Sequence, residues 1–228
     1  MSIHKPELVL LDLDGTLVDS IPDLAHCLNL ALTEHKQQTY NLSVVRNWVG
    51  NGIDKLIHRA LTNDIDGKAN SDIHHKVKSS FMDFYRAEPC QLSDCYPGVR
   101  EGLKQLQAEN MILGVVTNKN EEFVEPILKQ LDINQYINII IGGNTLSERK
   151  PHPLPLLHVA QKYNKEPAKS LMIGDSINDV NAARAAGFQI VCVSYGYNHG
   201  QDIQDTKPDA VIDSFVELSD LFKLKEAC

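Results

Sequence analysis

The sequence predicts an α/β protein with a mainly parallel sheet, into which a helical segment is inserted after the first strand. Three observations predict it. Short continuous apolar runs recur along the chain, each ending at a polar or glycine-bearing turn, the pattern of strands buried on both faces. Helical patterns fall between those runs, so strands and helices alternate as βαβ units. The stretch from about Ser20 to about Pro89 breaks the alternation, carrying helical patterns and no apolar β-like run.

Taken in order, Leu8-Val9-Leu10-Leu11 is the first strand and runs into Asp12-Leu13-Asp14-Gly15-Thr16. The inserted segment follows, with helices expected over Asp23 to Glu34, Ile53 to Leu61 and Asp72 to Tyr85. The alternating pattern resumes near Tyr96-Pro97-Gly98 with a helix over Val99 to Glu109, where Val99, Leu103 and Leu106 share a face. A strand over Met111 to Val116 ends at Thr117-Asn118, and a helix over Phe123 to Leu131 carries Pro126 near its first turn or at a kink. A strand over Ile137 to Ile141 ends at Gly142-Gly143, and a helix runs from Pro155 to Tyr163. Leu171-Met172-Ile173-Gly174 ends at Asp175, and the helix from Asp179 to Ala186 stops at Gly187. Ile190 to Val193 ends at Ser194-Tyr195-Gly196, Ala210-Val211-Ile212 is a last short strand, and the charged tail from Val216 to Ala227 is the solvent face of a terminal helix.

The 228 residues suffice for one ordinary domain and a modest insertion, and 43% hydrophobic with 23% charged residues is the balance of a globular protein. Thirty acidic against 22 basic side chains give a net charge of -8, which argues against a nucleic-acid partner. The five cysteines, at 27, 90, 95, 192 and 228, are odd in number and form no Cys-x-x-Cys pair. That fits reduced thiols in a cytoplasm rather than a disulfide framework or thiolate zinc. The N-terminal apolar run, broken by Asp12 and Asp14, is too short and too acidic for a signal peptide or a membrane span.

Open parallel sheets bind ligands beyond the carboxyl ends of their strands. The residues at those ends are Asp12 and Asp14, Thr117 and Asn118, and Asp175 with Asp179, while Lys150 lies in the loop after the Ile137 to Ile141 strand. Gly15 lets the chain turn, so that both Asp12 and Asp14 can face one site; an isolated Asp-x-Asp reads more readily as loop acids or a helix cap, and the surrounding Leu-Leu-Asp-Leu-Asp-Gly-Thr reverses that. Four carboxylates in one cleft repel unless a cation sits among them, and hard oxygen ligands in modest number suit magnesium. Asp179 is alternatively a helix-start acid facing the helix dipole. Lys150 precedes Pro151, which biases it to extended backbone and can aim its charge at a phosphate. A lone Lys-Pro also reads as a surface loop. Thr117 and Asn118 offer a hydroxyl, an amide and backbone N–H groups for a phosphate oxygen, or form a capping turn.

Together, Asp12-Leu13-Asp14-Gly15-Thr16, Thr117, Lys150-Pro151 and Gly174-Asp175-Ser176-Ile177-Asn178-Asp179 resemble the four motifs of the haloacid dehalogenase superfamily of phosphatases, in order and across the whole chain. The resemblance implies a Rossmann-like core of residues 1–19 and 90–228 and a helical cap domain of residues 20–89. Within the superfamily, the segments Asp19 to Leu24, Trp48 to Gly52, Tyr96 to Val99, Thr117-Asn118-Lys119, Ile141 to Gly143, Lys150 to Pro153 and Tyr195 to Tyr197 resemble bacterial phosphoglycolate phosphatases.

The resemblance further implies that Asp12 is the nucleophile and Asp14 the general acid and base. Mg2+ would be held by Asp12, the Asp14 backbone carbonyl and Asp175, with Lys150, Thr117 and Asn118 on the transferring phosphate. Ser176 and Asp179 would support that set from behind. The substrate is a small phosphomonoester, 2-phosphoglycolate first; a sugar-phosphate phosphatase or phosphomutase, and a catalytically silent phosphometabolite-binding regulator, are the alternatives. A monomer or small homo-oligomer is expected, with neither nucleic acid nor membrane as partner. In the cap, Gly50-Asn51-Gly52 is a candidate substrate-binding segment, Asn51 donating to a carboxylate. His74-His75 is expected on a solvated helix face, His152 in a structural loop role, and Trp48 in the cap core or hinge.

Overall fold

The first strand, β1 (Leu8–Leu11), is apolar at every position and wholly buried. The computed structural model describes residues 3–198 and 200–223. In it β1 pairs in parallel on one side with β4 (Ile112–Val116) and on the other with β6 (Ser170–Gly174). With β5 (Ile139–Ile141), β7 (Gln189–Val193) and β8 (Ala210–Ile212), these strands form a parallel sheet in the order β5-β4-β1-β6-β7-β8.

Alternate side chains feed two cores, as the pleat requires. Val9, Leu11, Val115 and Ile173 face the layer of α5 (Val99–Ala108), α6 (Glu121–Gln130) and α9 (Leu218–Lys223). Leu8, Leu10, Val116 and Met172 face α7 (Leu154–Lys162) and α8 (Ile177–Ala186). Helices therefore cover both faces, which is why these strands carry almost no polar residue. The terminal helix starts at Leu218, two residues later than the tail the sequence predicts; positions 224–227 of that tail, and Cys228, lie outside the described residues. Pro126 lies past the first turn: α6 starts two residues earlier than predicted, and Pro126 sits in its interior.

Between β1 and α5 the chain leaves the sheet and returns. The outgoing linker forms β2 (Val18–Asp19) and the returning one β3 (Asp94–Cys95), and the two pair antiparallel as a short ribbon. Beyond the ribbon lie α1 (Ile21–Glu34), α2 (Leu42–Arg46), α3 (Ile53–Thr62) and α4 (Ser71–Ala87). Asn41 and Asn70 cap α2 and α4 with their side chains. The buried Asp23, in the first turn of α1, accepts hydrogen bonds from the backbone N–H groups of Gln91, Leu92 and Ser93 and from the Ser93 hydroxyl. That carboxylate binds the start of the insertion to its end.

Trp48 is buried edge-on to Tyr40 in the inserted helices, as expected of a core residue there. His74 departs from its expectation. It is buried and stacked on His58 at 3.9 Å between ring centroids, while His75 beside it is exposed. Adjacent helix positions point about 100° apart, so only one of the pair can face solvent.

Candidate active site

The sheet order places the end of β1 between the ends of β4 and β6, and so Asp12 between Thr117 and Asp175. The Asp12 N–H continues the ladder by donating to the Ile173 carbonyl at 2.9 Å, and that of Thr117 donates to Ile141 at 3.0 Å. The residues that carry the chemistry are therefore the first ones past regular strand pairing, fixed by the sheet although not part of it.

Asp12 Oδ1 accepts from the Leu13 N–H at 2.7 Å and lies 3.0 Å from Lys150 Nζ, which leaves Oδ2 turned to other partners. Lys150, 2% exposed, bridges Asp12 and Asp179, its Nζ 2.6 Å from Asp179 Oδ1. Burial opposes the Lys150 charge, yet Asp12 and Asp179 together hold its pKa above the ordinary lysine value. The Lys150–Pro151 peptide is cis. The Asn118 amide donates to the Lys150 carbonyl at 3.0 Å, so that Asn118 positions the lysine loop, while its own Oδ1 is buried without a partner.

Asp179 serves two structures at once. Its Oδ2 accepts from the Ser176 N–H and hydroxyl, completing the capping box that starts α8. Its Oδ1 holds Lys150. Asp175 accepts from the Thr16 hydroxyl at 3.0 Å and from the Tyr197 N–H at 2.5 Å. Gly15, at φ +85, admits this approach; a Cβ there would overlap the Asp175 carboxylate.

Oxygens of Asp12, Asp175 and Asp179 lie within 4.8 Å of one another. Burial first, then the neighbouring carboxylates Asp12 and Asp179, raises the Asp175 pKa well above the ordinary range. Burial likewise lifts Asp12 to about 6 against the pull of Lys150. Burial and crowded negative charge together disfavour the ionised carboxylates, and a divalent cation among them would relieve the crowding. The donors are all hard oxygens, the set that suits Mg2+. Asp179 is tied to the Lys150 ammonium through Oδ1 and takes two Ser176 donors on Oδ2, whereas each Asp175 oxygen takes a single neutral donor, so Asp12 and Asp175 are the carboxylates that best fit as ligands.

Asp14 takes a hydrogen bond from the Ser20 hydroxyl at 2.6 Å and pairs with Lys119, whose Nζ stands 3.1 Å from Oδ1. Lys119 was not singled out as a site residue from the sequence. It is buried, lies 4.8 Å above the ring of Tyr85 from α4, and its pKa is raised because Asp14 and Tyr85 outweigh the cost of burial. Its N–H donates to Thr117 Oγ1, leaving the threonine proton for another acceptor. A polar Thr-Asn-Lys turn gives no local sign of a buried cation; only the contact with Asp14, 105 positions away, creates it.

Asp12, Asp14, Thr117, Asn118 and Lys119 line one side of a cavity of about 60 Å³; Val49, Gly50, Gly52, Ile53 and Leu56 from the inserted helices line the other. Asn51 is not on that wall. Its Oδ1 accepts from Arg59 Nη2 at 2.9 Å. His152 has the structural role expected of it, its Nδ1 accepting from the Leu154 N–H at the start of α7.

The model of the haloacid dehalogenase-like hydrolases matches residues 9–193. The chain belongs to this family. A phosphoglycolate phosphatase of Nitrosococcus oceani is 48% identical over 219 residues, covering 96% of this chain and 97% of its own. A phosphoglycolate phosphatase of Pseudomonas putida is 46% identical over 209 residues, or 91% of this chain and 76% of the relative. The crystal structure of a predicted phosphoglycolate phosphatase from Haemophilus somnus superposes with a TM-score of 0.90 at 37% identity, covering 96% of this chain and 99% of that one. As a haloacid dehalogenase-like protein of this kind, the chain is a phosphoric monoester hydrolase. Among the described residues no helix is long and apolar enough to cross a membrane.

Proposed function

We propose that the chain hydrolyses 2-phosphoglycolate through a phosphoryl-aspartate on Asp12, with residues 1–19 and 90–228 as catalytic core and 20–89 as cap. The observation that carries the reading is the convergence of Asp12, Asp14, Thr117 and Asp175 at the ends of adjacent strands, with Lys150 brought from a loop against Asp12. Asp12, with Oδ1 held by Leu13 and Lys150, presents Oδ2 to phosphorus. The P–O ester bond breaks as the new P–Oδ2 bond forms, and Asp14 gives its proton to the leaving alkoxide. Water then attacks the acyl phosphate, Asp14 takes back a proton, and Asp12 is released. Lys150, with the Thr117 hydroxyl and Asn118 beside it, holds the transferring oxygens, an electrostatic role typical of phosphoryl transfer. Asp12, Asp175 and the Asp14 backbone carbonyl would hold Mg2+, whose charge lets a phosphate dianion approach a carboxylate. Ser176 and Asp179 fix the lysine and the start of α8 behind them.

Size and charge support the substrate class. The narrow cavity favours a small phosphomonoester, and Lys119 puts a buried cation on its wall for a second anionic group. The Gly50-Asn51-Gly52 segment forms the cap wall, with Asn51 set behind it by Arg59. Phosphate release across two-carbon, three-carbon and hexose phosphates tests the reading. The specificity constant is expected to be highest for 2-phosphoglycolate, and Asp12→Asn to abolish turnover while far-UV circular dichroism is kept. Acid-quenched wild type should carry the phosphoryl group on Asp12. A preferred hexose phosphate would refute the substrate, and an adduct elsewhere would refute the mechanism.

A further inference from the structure

Arg46 closes α2 in the cap, and the catalytic reading does not use it. Its guanidinium reaches back to the linker ribbon, with Nη2 3.3 Å from Asp19 Oδ2. The same guanidinium lies over the ring of Tyr197, 5.3 Å from the centroid. Tyr197 belongs to the core loop after β7 and is buried. Its hydroxyl donates to the other oxygen of Asp19, and its N–H donates to Asp175 Oδ2. The Asp19 carboxylate is thus shared by one residue of the cap and one of the core. An unbroken chain of contacts runs from α2 through Arg46 and Tyr197 to Asp175.

The tie from α4 to α6 differs in kind. Arg86 of α4 pairs with Glu122 of α6 at 2.9 Å, but both side chains are about half exposed and neither touches a residue of the site. Arg46 instead stacks on a buried ring whose backbone holds a carboxylate of the acidic cluster. A planar guanidinium is suited to this double task, pairing through its edge and stacking through its face.

We propose that Arg46 is a positioning residue that latches the closed cap onto the Asp19–Tyr197 pair and steadies the loop that orients Asp175. This rests on the phosphatase reading for its kinetic consequence, not for its structural one. The test compares wild type, Arg46→Met and Arg46→Lys. With 2-phosphoglycolate, Arg46→Met is expected to raise KM about three- to twenty-fold, the loss of one part-exposed ion pair and one cation–π contact, with kcat changed less than about twofold. Arg46→Lys keeps the charge and recovers part of the KM. Hydrogen exchange of the substrate-free protein supplies a readout without turnover: Arg46→Met should speed exchange in the segment around Tyr197, and Arg46→Lys should do so less. Exchange unchanged around Tyr197, or a fall in kcat at constant KM, would overturn the latch. Absence of phosphate release by wild type would sink the functional reading instead, and the exchange comparison would still decide the latch.

Discussion

Replacing Lys150 by Met tests how the acidic cluster is held together. Lys150 Nζ sits 3.0 Å from Asp12 Oδ1 and 2.6 Å from Asp179 Oδ1, and the residue is 2% exposed. Breaking such a buried pair from one side leaves its carboxylates uncompensated, at a typical cost of about 3–5 kcal/mol. The cost depends on pH, and its sign can be worked out. Burial pushes Asp12 up to about 6 in the folded chain from its ordinary value of 3.8, and Lys150 is what holds it down. Without the lysine the folded value rises further. A carboxyl whose folded pKa is raised contributes stability that is fully present below the unfolded value and lost as pH rises through the folded one. The variant should therefore lose least near about pH 5, where Asp12 holds its proton, and most near about pH 8, where the full cost of about 3–5 kcal/mol applies. Urea unfolding of both metal-free proteins at the two pH values measures the difference. Millimolar Mg2+ should return part of the loss, because binding to the folded state alone stabilises it. A loss independent of pH, or a variant as stable as wild type near about pH 8, would refute the charge-balance argument.

Two further outcomes follow from the same structure. Asp23→Ala strips the acceptor from three backbone N–H groups and a hydroxyl, buried at the junction of the linkers. It should cost on the order of 3–5 kcal/mol in thermal or urea unfolding, several unsatisfied donors acting together; a change below about 1 kcal/mol would mean that water replaces the carboxylate freely. Because the Asp12 carboxyl titrates at about 6, protons should compete with Mg2+ below that pH. Calorimetric titration of the wild type should show apparent affinity falling by up to about tenfold per pH unit there, and an affinity flat between about pH 5 and pH 8 would exclude Asp12 as a ligand.

The sheet was legible because its strands are buried on both faces. Leu8–Leu11 stands as predicted, and β4, β6 and β7 shift by one residue at most at either end. The predicted strand from Ile137 starts late, because Asn134–Tyr136 forms a 3-10 turn whose exit occupies Ile137. The ribbon of Val18–Asp19 with Asp94–Cys95 left no trace, since two residues cannot show a period and the partners lie far apart in sequence. The five-residue α2 escaped for the same reason of length. At the site, aspartates and Lys150 followed from strand ends and motif order. Lys119 and Arg46 did not, because their importance lies in what they touch, Asp14 and Tyr85 for one, Asp19 and Tyr197 for the other. Asn51 was drawn from a Gly-Asn-Gly pattern, which reports backbone freedom but not the direction of the side chain that Arg59 then fixes.

The ribbon has an architectural consequence. Because Asp19 lies opposite Asp94, with Val18 opposite Cys95, the two ends of the inserted helices meet at adjacent backbone positions. A two-residue turn such as Asn-Gly closes antiparallel strands at that spacing. Joining Asp19 to Asp94 in this way would excise every residue between them while leaving the sheet, its order and the ends of β1, β4 and β6 untouched. The insertion is in this sense a cassette, plugged into a hairpin that could close without it, and other cassettes of different shape could be carried on the same two rungs.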